Sequence, residues 1–180
     1  MLHSLLLPEY DEVRHFEGLG NYAIDKYYKW PFRYFYRKKL ELILKELEAG
    51  RIYGNILDYG SGPAEIFRKS LAKRALSVTC VDSQEELDTR SRFDVTICAS
   101  VLEFCWLPTT SRILRTVTKG KLIIASPTDS WLSRLYFKLI GDTQHRNSER
   151  EIIREIGKYF SILSYKKWLN LYYVIRACPK

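Results

Sequence analysis

Residues Asn55 to Glu65 read Asn-Ile-Leu-Asp-Tyr-Gly-Ser-Gly-Pro-Ala-Glu, and this stretch limits the possible folds more than any other. Ile56 and Leu57 close a short apolar run with the pattern of a buried strand. Asp58 follows, then a tight turn through Gly60 and Gly62. Pro63 has the fixed φ that suits the first turn of a helix. The spacing predicts that helix from Ala64 to about Arg74, with Ile66, Phe67, Leu71 and Ala72 inward. Strand, glycine turn and helix in that order form the floor of a ligand pocket. The glycines admit close approach to the backbone, and a helix start offers free N–H groups.

The residues around the turn narrow the ligand. Gly60-x-Gly62 matches the first half of a dinucleotide fingerprint, but Glu65 stands where the third small residue belongs. A carboxylate at Asp58, two residues ahead of the first glycine, suits a ligand carrying a cationic group. Asp82 ends the next apolar run, Leu76 to Val81, 20 residues beyond Gly62. An acid there can accept hydrogen bonds from ribose hydroxyls.

The remaining pattern alternates helices and strands. A short helix is expected near Pro8 to His15. Pro31 and Gly50 bracket a longer one with Leu40, Ile43, Leu44 and Leu47 as its buried stripe. Phe93 to Ala99 is mostly apolar, as in a strand covered on both faces. Helix Thr109 to Thr118 follows Pro108, and strand Lys121 to Ala125 ends at Pro127. Trp131 to Ile140 is an amphipathic helix, with Trp131, Leu132, Leu135, Tyr136, Leu139 and Ile140 opposite Ser133, Arg134 and Lys138. Packing of that stripe on the core is the expectation, with a substrate lid or membrane-surface contact as the functional alternative. Helix Glu149 to Lys158 precedes two β-rich runs, Phe160 to Trp168 and Leu171 to Ala177, which form a closing antiparallel hairpin.

At these residues the chain resembles class I S-adenosylmethionine-dependent methyltransferases. Ile56 to Pro63 is similar to their motif I, and Val81-Asp82 to the acidic end of their second strand. Phe93 to Glu103 is similar to the fourth strand and its loop, and Lys119 to Pro127 to the fifth. The resemblance runs from about Phe35 to the C-terminus. It implies an α/β fold with a Rossmann-like doubly wound sheet, mostly parallel, ending in an antiparallel hairpin. One departure stands out. Only the ten residues Ser83 to Arg92 separate the second and fourth strands, too few for a helix and a paired parallel strand, so the third strand is expected to be missing. Residues 1–50 are read as a helical segment packed on a methyltransferase-like domain of residues 51–180.

By the same resemblance, Asp58, Gly60, Ser61, Gly62, Asp82 and Ser100 are expected to hold S-adenosylmethionine, with Arg37 facing its carboxylate. Glu103 and His145 are the candidates to orient or deprotonate the acceptor. The family often has histidine where Phe104 stands. The Asn/Asp-Pro-Pro-Tyr loop of amino-group methyltransferases is absent. A small-molecule or lipid-like acceptor is therefore favoured over nucleic acid. A degenerate member without catalysis is the other alternative.

Composition bears on partners. The net charge is +8 and the chain holds 13 tyrosines. The aromatic and basic stretch Trp30 to Arg37 could stack bases and meet phosphates, or cap the core with Trp30, Phe32 and Tyr36. The four cysteines, Cys80, Cys98, Cys105 and Cys178, contain no C-x-x-C pair, so a metal site is not expected. Three of them fall in predicted strands and read as reduced, which places the protein in the cytoplasm. Leu2 to Leu7 is apolar but has no basic leader, and no run approaches the roughly 20 apolar residues of a membrane span.

Overall fold

The computed structural model describes residues 7–14, 24–30, 32–48, 54–139 and 147–180. Three helices open the chain, α1 (Tyr10–Val13), α2 (Ile24–Tyr28) and α3 (Phe32–Glu48). They are followed by β1 (Asn55–Tyr59), α4 (Arg68–Ala72), β2 (Ser77–Val81), β3 (Phe93–Ala99) and α5 (Leu107–Val117). The rest comprises β4 (Thr118–Pro127), α6 (Trp131–Leu139), α7 (Glu149–Tyr159), β5 (Phe160–Trp168) and β6 (Tyr172–Pro179). The strands form one sheet in the order β2-β1-β3-β4-β6-β5. β1 to β4 run parallel, and β6 is antiparallel to both β4 and β5. This is the mostly parallel, doubly wound sheet that the sequence predicts, with no strand outside β2 among the described residues. The 83–92 segment lies along that edge, where Glu86, Leu87, Asp88, Ser91 and Arg92 line a hollow of about 290 Å³ beside β2.

The period of two along each strand divides the core. Ile56, Val95, Ile97, Ile123 and Val174 face α2, α3 and α4, through Ile24, Tyr27, Leu40, Ile43, Leu47 and Leu71. Leu57, Tyr59, Cys98, Leu122, Ile124 and Ile175 face α5 and α7, through Leu114, Val117, Ile152 and Ile156. β4 is covered on both faces, so its apolar run is continuous rather than alternating. Ser148 and Glu151 form a capping box that starts α7. The hairpin turns through Leu169 and Asn170, both at positive φ (48° and 53°), and the Leu171 N–H closes the turn on the Trp168 carbonyl (2.9 Å).

Two predicted elements differ. The helix expected from Ala64 starts only at Arg68, because residues 62–67 make successive turns and Glu65 takes φ of +45°, which a helix cannot contain. With five residues, α4 offers no helix-start anion site. Helix α6 also faces the other way. It buries Ser133 and Phe137, while Trp131, Leu132, Leu135 and Leu139 are exposed. Ser133 Oγ donates to the Leu171 carbonyl oxygen (3.1 Å), and Phe137 packs edge-on to Tyr172 (5.7 Å). In the Trp30 to Arg37 stretch, Tyr36 is buried but Trp30 stands out in solvent, so only part of it caps the core.

Candidate active site

The carboxyl ends of β1, β2, β3 and β4 converge on one loop. Gly60 leaves β1 at φ +77°, and its N–H donates to the Val81 carbonyl of β2 (2.7 Å). A Cβ on Gly60 would lie 2.4 Å from Val101 Cγ2, so the turn is closed directly against the loop that follows β3. Gly62, at φ +68°, donates its N–H to Asp82 Oδ1 (2.9 Å). Asp82 in turn donates its own backbone N–H to Glu86 Oε2 (3.0 Å). The register Tyr59↔Val81 sets Gly60 beside Asp82, so the glycine turn and the second acid share one rim.

Asp58 lies beneath that rim. It is 1% exposed, and its Oδ2 has no hydrogen-bond partner. Burial, with the Glu65 carboxylate adding to it, raises its carboxyl from the ordinary 3.8 to about 7. A carboxyl left this way is costly unless a donor or a cation meets it. Across the loop, Ser100 sits at φ +58°, and its N–H donates to the Ala125 carbonyl (2.7 Å). Its hydroxyl accepts from Lys39 Nζ (2.9 Å).

Lys39 was not singled out in the sequence. It comes from α3, is 2% exposed, and lies 4.9 to 5.8 Å from the ring centroids of Tyr27, Tyr36 and Tyr172. Desolvation of an ammonium is tolerable inside such a cage, because the ring faces are negative. Its signal was present: Lys39 lies three residues after Tyr36 and four before Ile43, on the apolar stripe of α3. Lys121 fixes the far end of the same helix by donating to the Leu47 carbonyl (2.9 Å). Arg37 is elsewhere; its guanidinium donates to the Tyr27 carbonyl (3.3 Å) between α2 and α3.

Glu103 is buried below the β3 loop and accepts from Ser126 Oγ at the end of β4 (2.8 Å). Asn147 clasps the same loop. Its N–H donates to the Glu103 carbonyl (3.0 Å), and its side-chain amide to the carbonyls of Leu102 (2.8 Å) and Cys105 (2.7 Å). His145 lies outside the described residues. Burial pushes the Cys80 thiol up to about 12 and raises Cys98 and Cys105 as well, so none of these is a thiolate nucleophile. No cluster of metal-ligating side chains occurs among the described residues. No described helix is long and apolar enough to cross a membrane.

No protein-family profile matches the chain, and no curated protein matches it. Solved structures do. One is magnesium protoporphyrin IX methyltransferase (ChlM) from Synechocystis PCC 6803 with bound SAH. It is 15% identical, with 95% of this chain and 94% of that chain covered and a TM-score of 0.63. Another is the N-methyltransferase NodS from Bradyrhizobium japonicum WM9 in complex with S-adenosyl-L-homocysteine. It is 13% identical, with 93% and 98% covered and a TM-score of 0.64. A putative type 11 methyltransferase from Sulfolobus solfataricus is 15% identical, with 78% and 92% covered and a TM-score of 0.59. The chain therefore has the class I methyltransferase fold.

Proposed function

We propose that this protein binds S-adenosylmethionine over the Gly60 turn and transfers its methyl group to a small-molecule or lipid-like acceptor. The observation that carries the reading is the Asp58 carboxyl, buried at the end of β1 with one oxygen unpartnered. A ligand with a cationic end offers that oxygen the donor and the charge that it lacks. The donor set around it fits the same ligand. Backbone at Gly60, Ser61 and Gly62 allows close approach, and Asp82, oriented by the Gly62 N–H, is positioned to accept from ribose hydroxyls. Lys39, rather than Arg37, is the cation that the fold brings to Ser100. The bound SAH of the ChlM and NodS structures supports this choice of ligand.

When bound, the cofactor supplies an electrophilic methyl group. The chain's own work is positional. Asp58 anchors the cationic end, Asp82 the sugar, and Ser100 with Lys39 the opposite wall. Glu103, held by Ser126 beneath the loop, is suited to keeping that wall in place. His145, two residues before the Asn147 clasp in the sequence, is the proposed proton acceptor for the acceptor substrate. The free thiols in strands suit a reducing compartment, the cytoplasm. Calorimetric titration with S-adenosylmethionine and S-adenosylhomocysteine tests the reading. Binding of both is expected, and no heat with either at about millimolar ligand, where only affinities weaker than ~4 kcal/mol escape, refutes it. The sheet edge without a third strand favours a second reading, cofactor binding without turnover. Titration that shows binding, together with no transfer to any acceptor in a small-molecule and lipid panel, selects it.

A further inference from the structure

Helix α6 presents its apolar stripe to solvent. Trp131, Leu135 and Leu139 recur every fourth residue opposite the buried pair Ser133 and Phe137, and are 75%, 46% and 75% exposed. Leu132 widens the stripe, and the exposed Arg134 and Lys138 run along one flank. Beside this helix lies the start of α3. Phe32 rests against Tyr136 of α6 (6.2 Å), and Tyr34 against Trp168 (5.9 Å), leaving Trp30 79% and Tyr34 62% exposed. Neither Phe32 to Lys38 nor Trp131 to Leu139 contains a single acid, while together they carry Arg33, Arg37, Arg134 and Lys138, besides Lys38, which pairs with Glu41 (2.8 Å).

We propose that this face docks on the surface of an anionic phospholipid bilayer. Charge selects the partner: Arg33, Arg37, Arg134 and Lys138, with no acid on the same two stretches, match an anionic surface. Shape and chemistry select a bilayer over nucleic acid. Leu132, Leu135 and Leu139 are aliphatic and cannot stack on bases, whereas tryptophan and leucine beside lysine and arginine suit the boundary between headgroups and acyl chains. The face also lies near the candidate active site. Tyr172, under α6, is 6.5 Å from Tyr136 and forms part of the Lys39 cage. A molecule resident in the bilayer would thus arrive one aromatic layer from the Ser100 loop. The docking itself does not depend on cofactor binding.

Vesicle co-sedimentation of the full chain without cofactor tests it, using phosphatidylcholine vesicles with and without phosphatidylglycerol. Binding to the anionic vesicles is expected and should weaken with salt. Leu135→Ser/Leu139→Ser and Arg134→Glu/Lys138→Glu should each lower it by about tenfold or more. These side chains are exposed, so both variants are expected to unfold at the wild-type temperature, which separates lost docking from lost fold. Three results overturn the proposal. One is equal retention of wild type and variants. Another is a wild-type dimer in analytical ultracentrifugation that Leu135→Ser/Leu139→Ser dissociates, since a second copy then covers the face. The last is binding to a single-stranded RNA oligonucleotide with no binding to anionic vesicles.

Discussion

Asp58→Asn isolates the free energy stored in one buried carboxyl. The folded protein holds the Asp58 proton up to about pH 7, whereas the unfolded chain releases it near 3.8. Between those values the folded state binds more protons, so stability falls as pH rises. The full gap of about three units corresponds to roughly 4 kcal/mol at ~1.4 kcal/mol per unit. Confined to the window from pH 5 to pH 8, the expected loss from this group is about 2–3 kcal/mol. Guanidinium unfolding at both pH values measures it, as the difference between wild type and Asp58→Asn. The variant should lack that component, leaving only the slope from other groups. Titration with S-adenosylmethionine should show the complementary sign. The cation favours the ionised carboxylate, so affinity should rise about tenfold per pH unit below 7 and level off above it. In Asp58→Asn the affinity should be weak and flat with pH. Matching pH slopes in wild type and variant would falsify the claim that this carboxyl is buried with one oxygen unpartnered.

Further expectations follow from the same loop. Gly60→Ala places a Cβ 2.4 Å from Val101 at a φ of +77°; a loss of about 1–3 kcal/mol is expected in denaturant unfolding, and an unchanged midpoint would contradict the packing described. Asp82→Ala removes the acceptor of the Gly62 N–H and should weaken S-adenosylmethionine binding by about 1–3 kcal/mol by calorimetry, with S-adenosylhomocysteine affected equally because both carry the ribose. Lys39→Met deprives the Ser100 hydroxyl of its donor and the three tyrosine rings of their cation. It should cost about 1–3 kcal/mol of stability and weaken cofactor binding, whereas Arg37→Met should leave the affinity unchanged. Ser148→Ala opens the capping box of α7 and should lower stability by about 1 kcal/mol.

Much of this architecture can be read from the sequence because it rests on local rules. Gly60 and Gly62 are needed where φ is positive, and the ten residues of the 83–92 segment are too few for a crossover and a further strand, so the sheet order β2-β1-β3-β4-β6-β5 follows. What could not be read depends on partners far along the chain. The stripe of α6 is plain in its spacing, but which side meets the domain is decided by the Leu171 carbonyl and the Tyr172 ring, some 40 residues away. Lys39 looks like a surface charge until Ser100, 61 residues on, supplies its acceptor. The turns at residues 62–67 replaced a helix because Glu65 lies in the left-handed region, where a carboxylate side chain gives no warning.

The short sheet leaves β2 with β1 as its one described neighbour, and an uncovered strand invites a foreign one. Several features discourage that. β2 is only five residues long, and the chain folds back past it through Glu85, Glu86, Asp88, Arg90 and Arg92, with Asp88 tying the Arg90 N–H and the Ser91 hydroxyl into a closed bend. That charged bend acts as a guard rail. Deleting it to tidy the sheet would expose a ready template for intermolecular stacking, and solubility, rather than turnover, would be the first property to fail.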